Sequence, residues 1–353
     1  MPQRSHSDRP TIDDVAAAAG VSVATVSRAL RGLPNVAQST RQAVLEAARQ
    51  LDYHADPAAT RLASGRTRTI GVVVPLLSGW YFAQVVAGIE AICATEGHDL
   101  IVMSAASHDH LDQLADDSAR LRRRVDGLIF VDYALADSHV DRFHAIGIEV
   151  VSIGAASGGF PTVGIDDRMV GELATRHLLG LGHTRISVVG AMTDDRLDPF
   201  RFAVPRLRLA GCTSTLAEAG LALDPALVVS GGFIVDGGAA AATSLLERSG
   251  PPTAVFALSD EMAFGVYQSA RALGIRVPDE LSIIGVDDHE MASVIGLTTV
   301  AQDVTSHGAA AARLLINRLA SDETGPIEHV CHEVRLITRD TTATARSASE
   351  ENP

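Results

Sequence analysis

At 353 residues, 46% of them apolar, the chain can bury more than one hydrophobic core, and two or three domains are expected. Its net charge of −14 argues against nucleic-acid binding by the chain as a whole. All 29 basic side chains are arginine, which excludes Schiff-base lysine chemistry and the lysine of a phosphate-binding loop. The N-terminus lacks the apolar core of a signal peptide, and no run is long enough to span a bilayer. Cys93, Cys212 and Cys331 lie far apart without CxxC spacing, so they make no disulfide framework. A cytoplasmic protein with no membrane partner is the expectation.

Charge is unevenly spread. Residues 1–68 hold nine arginines against six carboxylates, a net of +3, which leaves −17 on residues 69–353. A small basic head on an acidic body fits nucleic-acid binding confined to the head, with chance fluctuation in a short segment as the competing reading. Residues 1–10 are expected to be a flexible N-terminus, and residues 11–56 to form three short helices. Thr11 and Asp14 make a capping-box pattern before IDDVAAAAG, and Gly20 suits the left-handed stop. Ser22 then caps the second helix, and with only Gly20, Val21 and Ser22 in the gap the two must turn sharply, as in a helix-turn-helix. On that second helix Val26, Ala29 and Leu30 share one side, while Val23, Ala24, Ser27, Arg28 and Arg31 share the other. Ser39 and Gln42 predict another capping box, opening a third helix TRQAVLEAARQLDY.

Next comes DPAATRLASGRTRT, where Asp56, Pro57 and Gly65 suit the cap, first position and stop of a helix. That leaves about two turns, too short to be stable alone. Residues 57–68 are therefore predicted to be a linker that becomes helical only when something orders it. From Thr69 onward the runs IGVVVP, DLIVMSA, DGLIFVD, EVVSIG, RISVVG, ALVVSG, TAVFALSD and LSIIGVDD alternate with amphipathic intervals. Such runs predict parallel sheets covered on both faces. Two doubly wound lobes suit the pattern, with a closed eightfold barrel as the competitor. The tail, 341–353, reads as disordered, and TTATARSASEENP contains no leucine with which to build a tetramerising heptad seam.

In combination these residues resemble the lactose/galactose repressor family of bacterial transcriptional regulators. TIDDVAAAAGVSVATVSRALRG is similar to that family's N-terminal signature. The likeness continues through RTIGVVVP, RRVDGLIF, LGHTRISVVG, RLRLAG, PTAVFALSDEMAFG, GIRVPDELSIIGVDD and LTTVAQD, covering roughly residues 10–340. The resemblance implies an all-α helix-turn-helix head and hinge helix joined to an α/β body of two doubly wound parallel-sheet lobes, like periplasmic sugar-binding proteins. In the body, 69–340, the chain is expected to cross between lobes near residues 164, 296 and 329. That gives an N-lobe of about 69–164 and 297–328 and a C-lobe of about 165–296 and 329–340. The implied function is a sequence-specific repressor. It would bind a palindromic double-stranded DNA operator as a homodimer, under the control of a small-molecule effector, expected to be a sugar, held between the lobes.

By the same resemblance, Val23, Ala24 and Arg28 contact bases. An arginine can fork onto guanine O6 and N7, and the two small residues can meet a thymine methyl. Thr11, Ser22, Thr25, Ser27, Arg31 and Thr40 are expected on backbone phosphates, which set register rather than sequence. Arg31 stands where the family commonly has asparagine, and Ala37 where it has a capping serine. Leu62 falls where the family drives a leucine into the minor groove, a wedge that unstacks a base step.

In the body, Tyr81, Phe82, Arg208, Phe233, Ser259, Asp260, Asp287 and Gln302 are expected around the effector, because charged and amide groups beside an aromatic face suit sugar hydroxyls. Arg208 is expected to open a helix and Asp287 to end a strand. Neither has an oppositely charged residue at i±4, so each should meet a ligand or a bridging partner. Gly154 stands where some sugar-binding relatives carry aspartate, Ser259 where asparagine is frequent, and Trp80 interrupts the usual aromatic run as SGWYF; the effector's identity stays open. His108 and His110 have no third metal ligand at recognised spacing and read as part of a helix start. No cofactor is expected. A GxSxG nucleophile elbow is missing, so no residue is assigned to catalysis and no enzyme is expected. A transport receptor and a sugar-modifying enzyme are the rival readings, opposed by the head and by that missing constellation.

Overall fold

The structure is a computed structural model that describes residues 10–30, 33–53, 66–105, 107–133, 135, 137–154, 159–191, 203–321 and 327–346. They fall into two units that part between Thr67 and Arg68. In the first unit lie α1 (Ile12–Ala19), α2 (Val23–Leu30) and α3 (Gln38–Gln50). The first capping box forms: Asp14 N donates to Thr11 Oγ1 at 3.3 Å, and Thr11 N to Asp14 Oδ2 at 2.8 Å. Gly20 closes α1 at φ +66°, and Thr25 N donates to Ser22 Oγ at 3.2 Å. Val15, Ala16, Val26, Ala29, Val44, Ala47 and Ala48 make the small core between the three helices.

The expected start of α3 is corrected. The helix begins at Gln38 with Ala37 in the cap position, so Ser39 and Gln42 lie inside the first turns and form no capping box. Ala37 contributes only its carbonyl, which accepts from Arg41 N at 2.9 Å. Arg31, Leu62 and residues 54–65, which carry the expected hinge helix, lie outside the described residues.

In the second unit two open sheets form, in place of the barrel alternative. The first contains β1 (Thr69–Val74), β2 (Asp99–Ser104), β3 (Gly127–Val131), β4 (Glu149–Ile153), β5 (Thr162–Ile165) and β11 (His329–His332). All of its strands run parallel, in the order β11-β5-β4-β3-β1-β2. The second contains β6 (Ile186–Val189), β7 (Val228–Val229), β8 (Ala254–Ala257), β9 (Ser282–Asp287), β10 (Thr298–Ala301) and β12 (Arg335–Ile337). Its order is β12-β10-β9-β8-β6-β7, and only β12 is antiparallel.

Both faces of each sheet are covered, which is why the strand segments read as unbroken apolar runs. Along β1, Ile70, Val72 and Val74 pack with Phe82, Val85 and Ile89 of α4 (Trp80–Glu96) and with Leu315 of α13 (Val304–Ala320). Val73 points the other way, towards Leu111 of α5 (His108–Asp116) and Phe143 of α7 (Asp137–Ala145), beyond the short α6 (Ser118–Leu121). Around the second sheet lie α8 (Asp167–Gly180), α9 (Ala203–Glu218), α10 (Val235–Leu246), α11 (Asp260–Ala272) and α12 (Glu290–Ile295).

Two boundaries move. β10 belongs to the second sheet and β11 to the first, so the passages between lobes fall at Asp166, at Gln302–Asp303 and at Glu333–Val334. The expected crossings at 296 and 329 each come one strand too early. The tail assignment is corrected as well, since residues 341–346 are described and held by the second lobe. Thr341 is buried, its hydroxyl donates to Ile283 O at 2.7 Å, and Ala345 N donates to Leu181 O at 2.8 Å. Thr341 stays attached here because its hydroxyl pairs with buried backbone groups of Ile283 and Thr298 rather than because it buries apolar surface.

Candidate functional site

Two surfaces carry chemistry. The first is the outward side of α2. Val26 and Ala29 are buried under the helix, whereas Ser22, Val23, Ala24 and Arg28 are exposed, and Thr25 and Ser27 half-buried beside them. Thr11, exposed, and Thr40, half-buried, lie at the starts of α1 and α3. Thr11 and Ser22 already have work within the head as acceptors for helix-start amides, so any contact they make with a phosphate is additional to a capping role.

The second is a cavity of about 170 Å³ between the lobes of the body, at the carboxyl ends of the parallel strands. One part of its wall is set by close backbone contact between α8 and α9. A Cβ on Gly171 would stand 2.0 Å from Arg208 O, and one on Gly211 would stand 2.1 Å from Arg168 O. Only glycine permits that approach. It brings Asp167, at the start of α8, against Arg208, in the second turn of α9, with Nε to Oδ1 at 2.8 Å. Arg208 Nη1 also donates to Leu258 O at 2.5 Å. Across the cavity Asp287 Oδ1 accepts from Gln302 Nε2 at 2.6 Å.

Of the residues expected around an effector, Tyr81, Phe82, Arg208, Phe233, Ser259, Asp287 and Gln302 line this cavity. Asp260 does not. It is fully buried behind the wall, where Oδ1 accepts from Thr299 Oγ1 at 2.7 Å and Oδ2 from His289 N at 2.8 Å. Its carboxylate ties the start of α11 to the chain after β9 and to β10, a structural task. One further expectation is corrected: Arg208 sits inside α9 rather than opening it. With no partner at i±4, it is bridged instead to Asp167, 41 residues away, one of the two alternatives expected for it.

Sequence reasoning missed Asp132, Asp167, Glu261 and His307, all of which line the cavity. Asp132 follows β3 directly, as Asp287 ends β9, so its place at a strand's carboxyl end was a readable signal. Asp167 had none, because its meaning comes from a helix crossing. Burial pushes the Asp132 carboxyl up to about 8, helped by the neighbouring Asp167 carboxylate, and it pushes Asp287 up to about 7 against the pull of Arg208. Burial also raises Asp167, which Arg208 draws back down, and the phenol of Tyr81, which faces the same carboxylates. His307 is held neutral, its pKa lowered to about 4 by burial.

Backbone strain gathers at the same place. Asp132, Phe233 and Asp287 have φ of +58°, +55° and +117°, a region that side chains other than glycine rarely occupy. At the rim, Trp80 reaches from the first lobe to the second. Its Nε1 donates to Glu290 Oε2 at 2.6 Å, its N to Glu261 Oε2 at 3.3 Å, and its ring lies 4.6 Å from that of His289. No helix among the described residues is long and apolar enough to cross a membrane.

Comparison with known proteins accords with this division of labour. Residues 11–56 match the family described as bacterial regulatory proteins, lacI family, and residues 175–342 match the periplasmic binding protein-like domain. Catabolite control protein A of Priestia megaterium is 34% identical over 309 residues, covering 86% of this chain and 91% of that one. The HTH-type transcriptional repressor CytR of Escherichia coli K12 is 31% identical over 329 residues, 92% and 94% of the two chains. Among solved structures, the Lac repressor dimer bound to operator and the anti-inducer ONPF aligns with a TM-score of 0.81 at 26% identity, covering 95% of this chain and 99% of that one. The transcriptional regulator CelR in complex with cellobiose aligns at 0.68 and 30% identity, covering 94% and 100%. The chain thus belongs to the lacI family of bacterial regulatory proteins, with a DNA-binding helix-turn-helix head and a periplasmic-binding-protein-like, effector-binding body.

Proposed function

We propose that this chain is a transcriptional repressor that binds a palindromic DNA operator as a homodimer and responds to a small polyhydroxylated metabolite, of the sugar class, held between the lobes of its body. The observation that carries this reading is the interlobe cavity, where Arg208, Asp287 and Gln302 meet Tyr81, Phe82 and Phe233 on a chain whose head exposes Val23, Ala24 and Arg28. Similarity to a Lac repressor dimer on its operator and to a CelR–cellobiose complex supports both halves. In this reading Val23, Ala24 and Arg28 meet base edges in the major groove. Thr11, Ser22, Thr25, Ser27, Arg31 and Thr40 meet phosphates, and Leu62 wedges into the minor groove. Residues 57–68 act as the hinge that DNA binding orders. The three passages between lobes let ligand change the lobes' relative set, so ligand and operator affinities are coupled reciprocally. The protein works as a cytoplasmic regulator, not as a catalyst.

Gel retardation on selected and scrambled operators tests the DNA half. Arg28→Ala is expected to cost about 1–3 kcal/mol on the selected site and to relax preference at one base pair. Equal affinity of the wild type for selected and scrambled sites at physiological salt overturns the reading. Sedimentation of the full chain with operator tests for two protomers per site.

A further inference from the structure

Asp132 combines two costs that packing does not explain. Its backbone is in the left-handed region, and its Oδ1, shielded from solvent, has no hydrogen-bond partner among the described residues. The residue as a whole is only half-buried, because the rest of it opens onto the cavity. Space for it is made by Gly154, where a Cβ would stand 1.9 Å from that same oxygen. Any other residue at 154 would push the carboxylate aside. A buried acceptor left empty in this way is best accounted for by a donor that arrives with a ligand.

The surrounding charge narrows what that ligand is. Asp132, Asp167, Asp287 and Glu261 line the cavity, while among the described residues the one buried cation there, Arg208, is already engaged by Asp167 and the Leu258 carbonyl. Arg206 also lines it but is solvent-exposed, and His307 is neutral. The described walls therefore offer carboxyl groups in excess of cations, so an anion entering would meet no free buried counter-charge there and would oppose ionisation of Asp132 and Asp287 in a poorly solvated space.

We propose that Asp132 determines effector specificity in this cavity, accepting hydrogen bonds from O–H or N–H groups of a neutral or cationic ligand and turning away phosphorylated or carboxylated ones. The proposal rests on the reading of the cavity as the effector site. It also carries a pH signature. In the empty cavity Asp132 holds its proton up to about pH 8, through burial and the Asp167 carboxylate, with Asp287 also repelling its charge and Arg208 attracting it. Donors that bind the ionised form release that proton, so affinity rises with pH towards 8.

The test is calorimetric titration of the full-length wild type, Asp132→Asn and Tyr81→Ala at pH 6, 7 and 8. The probes are ribose, galactose, glucose, cellobiose and glucosamine, set against glucose 6-phosphate and glucuronate. Asn tolerates the left-handed backbone, so Asp132→Asn should fold. The expected result is a best ligand in the neutral or cationic arm, bound at least about tenfold more weakly by Asp132→Asn, with wild-type affinity rising from pH 6 to 8 more steeply than that of the variant. An anionic sugar as the tightest ligand, no binding in the neutral and cationic arms, or unchanged binding by Asp132→Asn overturns the proposal. If Tyr81→Ala weakens binding and Asp132→Asn does not, the cavity reading stands and the role of Asp132 falls. If neither variant changes the binding of a ligand, the cavity reading itself falls.

Discussion

Arg208 and Asp167 meet at 2.8 Å in the interior of the second lobe, with their side chains only 5% and 4% exposed. Both line the cavity, so a group placed to touch a ligand is also half of a buried ion pair. Binding and stability are therefore joined at this point, and a variant that removes one partner tests both.

Arg208→Met should destabilise the body by about 3–5 kcal/mol, because it leaves the Asp167 carboxylate buried without its counter-charge. The double variant Arg208→Met/Asp167→Leu should recover most of that loss, yet remain unresponsive to effector. Urea unfolding of the full-length single and double variants is the measurement. A single variant no less stable than the double would show that the pair is not energetically coupled.

Gly211→Ala should lose about 1–3 kcal/mol despite alanine's better helix propensity, since the added methyl would stand 2.1 Å from Arg168 O and force α8 and α9 apart. Effector affinity should fall with it, because the same crossing brings Asp167 to Arg208. Operator binding without effector, carried by the separate head, should persist. Calorimetry and gel retardation on one preparation read the two outcomes, and intact effector binding would contradict the assembly described for the cavity.

Ala37→Ser should stabilise the head by about 1 kcal/mol, supplying the side-chain acceptor that α3 lacks at its first turn. Hydrogen exchange of α3 amides in the full chain should slow by about fivefold. Unchanged exchange would mean that the amides at the start of α3 already have adequate partners.

Between pH 6.5 and 8 the stability of the empty body should fall as pH rises. Asp132 and Asp287 have folded-state pKa values raised to about 8 and about 7, so the folded chain binds more protons than the unfolded one across this window. The stability linked to their protonation is lost as pH climbs through those values. His307 works in the opposite sense but lower down: its pKa, lowered to about 4, makes stability fall only as pH drops below its unfolded value near 6.5. Scanning calorimetry at pH 6.5, 7.2 and 8 should show a declining transition in the wild type and a shallower decline in Asp132→Asn. A flat wild-type profile would argue against buried, protonated carboxyls in the cavity.

Much was legible in the residues alone, for local reasons. The Thr11–Asp14 box, the Gly20 stop and the buried row of Val26 and Ala29 follow from spacings of three or four residues, which is the length over which helix geometry acts. The long apolar strands were legible too, because burial on both faces leaves an unbroken run in the chain. Short strands such as TTVA and HVCH carry too little pattern to say which sheet they join, and the crossings that the resemblance implied fell one strand early at both β10 and β11.

What only the tertiary structure decided is who meets whom at the cavity. Arg208 finds Asp167 because two helices touch at glycines, and Asp260, adjacent in sequence to a cavity residue, turns away to serve Thr299 and His289. Asp132 gains an acceptor with no partner among the described residues from the space left at Gly154. Periodicity reports which face of an element is buried. The pairing of charges across the site depends on the approach of elements tens of residues apart, and no local spacing encodes that distance.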